Sequence, residues 1–249
     1  MANNLLSRLG IQSWCFRKFT TTQQVIDGLR ACGVDHLEIC GVHGNAEKDP
    51  EALKVIDEYR KAGISLSSTG VWGIGRDEAG SRRVFEFAKK AGITAISASV
   101  WHDWLPLAEK LSAEYGIKLA LHNHGRHDFL VNIGFLEKYL AKASRNIGVC
   151  LDTAWMMDGG DDAMEAAKKF QDRLYGLHLK DFIFDRAGKP HDVVLGDGNL
   201  DIDGLMKFLV QIDYKGYLTI EYEGDADNPV PALKKCVERV RRAYDRAVA

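Results

Sequence analysis

Four short apolar runs in this sequence carry, at or near their C-terminal ends, a side chain of metal-ligand type. IKLALH ends in His122, IGVCLD ends in Asp152, LYGLHL carries His178 and GYLTIEY carries Glu221. Taken singly, each is ordinary. A histidine near a strand end is commonly a satisfied structural residue. An aspartate after an apolar run commonly caps the next helix, and a glutamate on a late strand is commonly a solvated charge. Taken together they are stronger. Two imidazoles and two carboxylates gathered in one place would bury unpaired charge at high cost, and a divalent cation offsets that cost. A mixed nitrogen and oxygen set with room for substrate oxygens suits Mn2+, Co2+, Fe2+, Zn2+ or Mg2+, with imidazole weighing against Mg2+.

Other side chains near the same strand ends could do chemistry on a bound substrate. His124 shares a strand face with His122 if the strand persists, and reads as an acid/base, a substrate contact or a support for the ligands. Lys180 and Asp181 follow His178. Lys180 is a base or electrophile if burial lowers its pKa, or else an ordinary ion pair with Asp181. It is expected to point away from His178 unless the backbone turns there. Arg17 could bind a carboxylate, phosphate or sugar hydroxyl. Trp14, Trp72, Trp101 and Trp155 lie near strand ends, where indoles stack on sugar faces; Trp14 and Trp155 are the two assigned to substrate. His191 falls in a long segment, Lys180–Asn199, that reads as a lid. Glu38 and His43 flank the mouth, with structural or surface roles the simpler reading.

These residues need elements that bring them together. Apolar runs alternate with amphipathic stretches along the whole chain, giving eight strand–helix units. Thr21 to Gln24 has the S/T-x-x-Q form of a helix start, and Asp161 and Asp201 are expected to cap later helices. Cys32-Gly33, Ala62-Gly63 and Ala91-Gly92 stop three helices just before a strand, where glycine suits the left-handed position. Eight such units imply a closed (β/α)8 TIM barrel of the α/β class, with its active site at the C-terminal strand ends. An open doubly wound sheet would need a glycine-rich phosphate turn after an early strand, and none is present. No linker composition divides residues 1–249, so one domain is expected.

Composition agrees with a globular chain and narrows its partners. Hydrophobic residues make up 46% and charged residues 27% of 249, outside the range of disordered chains. There are 33 basic and 35 acidic side chains, a net charge of −2, which argues against the nucleic-acid backbone as main partner. The five cysteines are scattered, with no C-x-x-C pair, so neither a disulfide framework nor a zinc finger is expected. No window approaches 18 apolar residues, and the start MANNLLSRLG lacks a secretory pattern. A cytoplasmic protein with no membrane partner is the expectation.

The chain resembles the sugar phosphate isomerase/epimerase superfamily, the xylose isomerase-like TIM barrels that include ketose 3-epimerases, inosose dehydratase and endonuclease IV. The resemblance rests on GIQSWCFRKF, LALHNHG, VCLDTAW, LHLKDF and the block LGDGNLDIDGLMKFLVQIDYKGYLTIEYEG. It implies one such domain over the whole chain and one divalent ion held by His122, Asp152, His178 and Glu221. It also implies a sugar or cyclitol carbonyl substrate, handled through an enediolate, with a homo-oligomer compatible. Glu221, Lys180 and His124 are then the groups that move the proton. Two departures stand out. Many members have glutamate where this chain has His122, so the symmetrical two-carboxylate epimerisation of the ketose epimerases is in doubt. Many have histidine where this chain has Trp155, which disfavours the multi-zinc nuclease site. The resemblance implies a sugar isomerase or epimerase. The alternative is a carbon–oxygen lyase using the same enediolate, either inosose dehydratase-like or cleaving 3-keto-glycosides. A non-catalytic sugar-binding barrel is the rival from another class.

Overall fold

A computed structural model describes residues 4–249. Eight barrel strands follow in chain order: β1 Leu9–Gln12, β2 His36–Ile39, β3 Ser65–Thr69, β4 Ala95–Ser99, β5 Lys118–His122, β6 Ile147–Asp152, β7 Leu174–Leu179 and β8 Tyr217–Ile220. All pair in parallel, and β1 lies between β2 and β8, so the sheet curls into a barrel. The helices are α1 Thr22–Cys32, α2 Leu53–Lys61, α3 Glu78–Ala91, α4 Leu105–Tyr115, α5 Ile133–Leu140, α6 Thr153–Asp158, α7 Ala163–Lys169, α8 Ile202–Gln211 and α9 Val230–Val248. The expected (β/α)8 architecture is therefore present.

The third strand closes the ring in two pieces. Ser65–Thr69 pairs with β2, while a short continuation, Trp72–Gly73, pairs with β4. From the first piece, Ser68 Oγ donates to the Ala95 carbonyl at 3.1 Å, bridging β3 to β4. Gly70 sits at this break because a Cβ there would lie 2.4 Å from the Ser97 carbonyl oxygen.

Strand alternation then sorts the side chains. Leu37, Ile39, Leu119, Leu121, Val149, Leu151, Leu218 and Ile220 face the helices and are fully buried, each contributing about 1.5–3 kcal/mol. The alternate positions face the barrel interior. There, Ala95, Ala120 and Cys150 pack around Tyr217. The small residues leave room for one large ring at the base, and the polar residues lie above it.

Most local signals act as expected. Thr21 and Gln24 form a reciprocal capping box on α1, and Asp201 caps α8. Gly33, Gly63 and Gly92 take φ of +70 to +80° behind α1, α2 and α3. Three places differ. Asp162, not Asp161, caps α7, and Asp161 instead accepts from the Ile133 amide at the start of α5. Helix α6 was not anticipated; it begins directly on Asp152, whose carboxylate caps it. The long segment after β7, expected as a loop, contains a hairpin, Asp181–Phe184 against Pro190–Val193. No helix among the described residues is long and apolar enough to cross a membrane.

Candidate metal centre and active-site mouth

His122, Asp152, His178 and Glu221 come from four neighbouring strands, β5 to β8, and each offers an atom within 4.8 Å of the others. His122 Nε2 lies 3.6 Å from Asp152 Oδ2 and 3.9 Å from Glu221 Oε2. His178 Nδ1 lies 2.8 Å from Glu221 Oε2, without hydrogen-bond geometry. Each of these four atoms is buried and has no hydrogen-bond partner. Four orphaned polar atoms at one point are expensive: each costs about 1–3 kcal/mol, more when charged. They are nitrogen and oxygen donors facing one another, and that donor set fits a divalent ion.

The surrounding backbone holds each donor in place. Asp152 ends β6 and divides its carboxylate: Oδ1 accepts the Trp155 amide at 2.9 Å as the cap of α6, and Oδ2 is left for the centre. Asn123 locks that strand end, its Nδ2 donating to the Asp152 carbonyl and its Oδ1 accepting the Asp152 amide, both at 3.0 Å. Glu221 follows β8 and donates its amide to Leu179 at 3.0 Å. Burial alone would raise the Glu221 carboxyl, but Lys180, His178 and His122 outweigh it and hold the group well below the usual carboxylate range. His178 turns its far nitrogen, Nε2, to Glu38 Oε2 at 2.8 Å. Sequence reasoning had treated Glu38 as structural or surface; it is fully buried inside the barrel. The available signal was a glutamate at an inward position of the apolar run HLEIC.

Lys180 is fully buried and its ammonium pairs with Glu223, not with Asp181. Asp181 is spent on its own loop, accepting the amides of Gly196, Gly198, Asn199 and Leu200. Nor does Lys180 point away: residues two apart on a strand share a face, so it follows His178 inward without any turn. Thr153 holds the position, its hydroxyl bonding both the amide and the carbonyl of Lys180. Burial pushes the ammonium pKa down, yet Glu221, Asp152, Glu223 and Asp192 raise it further than burial lowers it. The surrounding carboxylates thus favour the charged ammonium, a hydrogen-bond donor.

Glu223, two residues beyond Glu221, is a junction. It accepts from Lys180, takes the Trp14 indole N–H at 3.0 Å, and receives Arg17 at its carbonyl. Its amide donates to Asp192 of the hairpin at 3.2 Å, and burial pushes the Asp192 carboxyl up to about 6. The Glu-x-Glu spacing of 221 and 223 just past β8 was the legible sign, since residues two apart in an extended chain point the same way.

A cavity of about 650 Å³ opens over the centre, lined among others by Trp14, Trp72, His122, His124, Glu221 and Glu223. The His124 ring sits 5.8 Å from that of His122 and 4.5 Å from that of Trp155. Desolvation and the neighbouring His122 lower the His124 pKa. Trp155 does not line the cavity; it packs behind it against Phe182 and under the Lys180 ammonium, 5.1 Å from its ring centre. Gly125 makes that packing possible: its φ is +74°, and a Cβ would lie 2.7 Å from the Trp155 ring. Two expected substrate contacts are not among the residues lining the cavity. Arg17 spends its guanidinium on the Trp14 and Glu223 carbonyls and on the Trp14 ring. His191 is exposed on the hairpin beside Asp185, at 3.4 Å. His43 faces the Phe19 carbonyl at 3.1 Å, a structural role.

The profile of the xylose isomerase-like TIM barrel matches residues 26–243. Inosose dehydratase of Clostridium perfringens is 29% identical over 165 residues, covering 57% of this chain and 52% of that protein. The chain thus spans about half the length of such curated relatives. The 3-keto-D-glucoside 4-epimerase of E. coli superposes with a TM-score of 0.71 at 19% identity, covering 94% of this chain and 99% of that one. The IolI protein, solved with a zinc atom, superposes with a TM-score of 0.74 at 16% identity, covering 96% and 98%. At these identities the two structures share the fold.

Proposed function

The chain belongs to the xylose isomerase-like TIM barrel family, and on that premise we propose a divalent-metal-dependent isomerase or epimerase of a keto-sugar or related carbonyl compound. The observation that carries this is the set of four orphaned donors of His122, Asp152, His178 and Glu221, of which His122 and Glu221 line the cavity. A divalent ion there supplies Lewis-acid polarisation of a carbonyl and its adjacent hydroxyl. The rest of the chemistry belongs to the protein. Glu221 is ionised and His124 is neutral near pH 7, so either can take the proton from the carbon beside the carbonyl. The Lys180 ammonium, buried and paired with the cavity-lining Glu223, places a positive charge beside the centre that stabilises negative charge developing on an oxygen of the enediolate. The aromatic side of the mouth, Trp14 and Trp72, covers the less polar face of a sugar or cyclitol.

A second reading is carried by His122 and the inosose dehydratase relatives. With imidazole in place of a carboxylate, Glu221 is the one carboxylate of an opposed pair, and a charged Lys180 can protonate a departing group. That arrangement serves a lyase or dehydratase using the same enediolate. One experiment addresses both: a screen of keto-sugars and keto-cyclitols with the Mn2+- or Zn2+-supplemented protein in D2O, followed by NMR. Deuterium at the α-carbon is expected. A stereoisomer as product supports the first reading, and a dehydrated or cleaved product supports the second. No exchange with any substrate, metal present, would sink both.

A further inference from the structure

We infer that Glu38 is a positioning residue for the metal centre: it fixes the His178 ring so that Nδ1 faces the other three donors, and it adds a buried negative charge behind that ring. The inference rests on the metal reading of the centre. Glu38 and His178 are fully buried and lie 140 positions apart in sequence, yet His178 Nε2 meets Glu38 Oε2 at 2.8 Å. The other carboxylate oxygen accepts the Ser97 hydroxyl, and Ser97 in turn contacts the Tyr217 hydroxyl. Strands β2, β4, β7 and β8 are thus tied through the barrel interior by one polar chain.

Two features argue that this chain serves the centre rather than the core. First, among the described residues no lysine or arginine reaches Glu38: its partners are Ser97 and His178. A carboxylate buried without a permanent cation is costly, and the charge that offsets it lies on the far side of His178. Second, an imidazole that donates one ring N–H to a carboxylate has its other nitrogen free as a lone pair, which orients the ring and raises its basicity as a ligand. In this protein the free nitrogen is Nδ1, one of the four orphaned atoms. Aspartate would be one methylene short of this contact from the same backbone position, whereas glutamine keeps the length and the acceptor oxygen and removes the charge.

The test uses the full chain stripped with chelator, comparing wild type, Glu38→Gln, Glu38→Ala and Ser97→Ala. Zn2+ affinity is measured by competition with a chromophoric chelator, and the melting temperature of the metal-free protein is recorded for each. Zn2+ binding is expected to weaken about 10-fold in Glu38→Gln and about 100-fold in Glu38→Ala, the usual span for a partner behind a ligand. A few-fold loss is expected in Ser97→Ala. The better performance of glutamine than alanine is the mark of positioning. Equal affinity in wild type and both Glu38 variants overturns the inference; if Glu38→Ala fails to fold, Glu38→Gln decides alone. A second readout does not need metal. In 15N-histidine-labelled protein, the His178 Nε2–H proton, assigned by its loss in His178→Gln, should lie far downfield in wild type. It should shift in Glu38→Gln and vanish in Glu38→Ala. Should wild type take up no Zn2+, the metal reading falls, and an unaltered His178 resonance in both variants would overturn the Glu38 contact as well.

Discussion

At His122 the choice between imidazole and carboxylate changes the charge of the centre by one. His122→Ala is expected to abolish tight divalent binding. His122→Glu should retain or tighten it for a hard ion while losing the native reaction, because the added carboxylate alters charge and base placement together. Metal content by mass spectrometry after gel filtration checks both, and unchanged content in His122→Ala would move the ligand role to His124. Lys180 poses a different question, since it touches none of the four orphaned atoms by hydrogen bond and pairs with Glu223. Lys180→Met should keep metal and fold while lowering kcat by about 10²–10⁴, the range for an acid–base group. A near-normal kcat would reduce it to a structural cation. His124 carries the pH dependence. Its pKa is lowered, so it is neutral and able to accept a proton above that value and is charged below it. Activity should therefore fall as pH drops through the His124 pKa, and His124→Gln should flatten that acid limb of the kcat/KM profile.

The elements that frame the mouth are held by side chains that satisfy backbone. Asp181 at the start of the hairpin gathers four amides of the loop at Gly196, Gly198, Asn199 and Leu200. The Leu200 amide is buried and those of Gly196 and Gly198 are half-buried, so losing the shared acceptor in Asp181→Ala should destabilise the protein by on the order of 2 kcal/mol. Urea unfolding measures this, and a loss below about 0.5 kcal/mol would mean the loop finds other acceptors. Helix α6 shows why some elements were legible and others not. Thr21 and Gln24 announce α1 because both halves of the box lie within one turn. The cap of α6 is Asp152, which as the end of an apolar strand reads equally well as a metal-ligand type. In the fold it is both, one oxygen for each task. The hairpin escaped notice because its strands carry charge and alternate weakly, and pairing across a turn is what makes them strands.

For the molecule as a whole, the barrel separates stability from chemistry along its axis. Apolar side chains between strands and helices and the ring of Tyr217 at the base fill the lower interior, while the upper interior holds unpaired polar atoms. An ion that binds the folded barrel and not the unfolded chain therefore stabilises it by mass action. At a free Zn2+ or Mn2+ concentration of 100 times Kd, the gain is about 2.7 kcal/mol. The melting temperature should rise on titration and fall on adding EDTA. No shift with any divalent ion would remove the metal from the account and favour the sugar-binding barrel.

The sequence by itself determined the order of strands and helices, the parity of each strand, most of the helix stops, and the four residues whose donors converge, His122, Asp152, His178 and Glu221. All of these follow from periods of two and 3.6 and from caps within four residues, which are local properties of a chain. The tertiary structure alone decided the partners. Glu38 meets His178 across 140 positions, Lys180 finds Glu223 across 43, and Asp181 turns to the amides of its own loop. Arg17 and His191, chosen for their chemistry and place in sequence, are spent on backbone and on Asp185. A polar side chain takes whichever partner burial leaves within about 3 Å, and closing the barrel is what sets that neighbourhood.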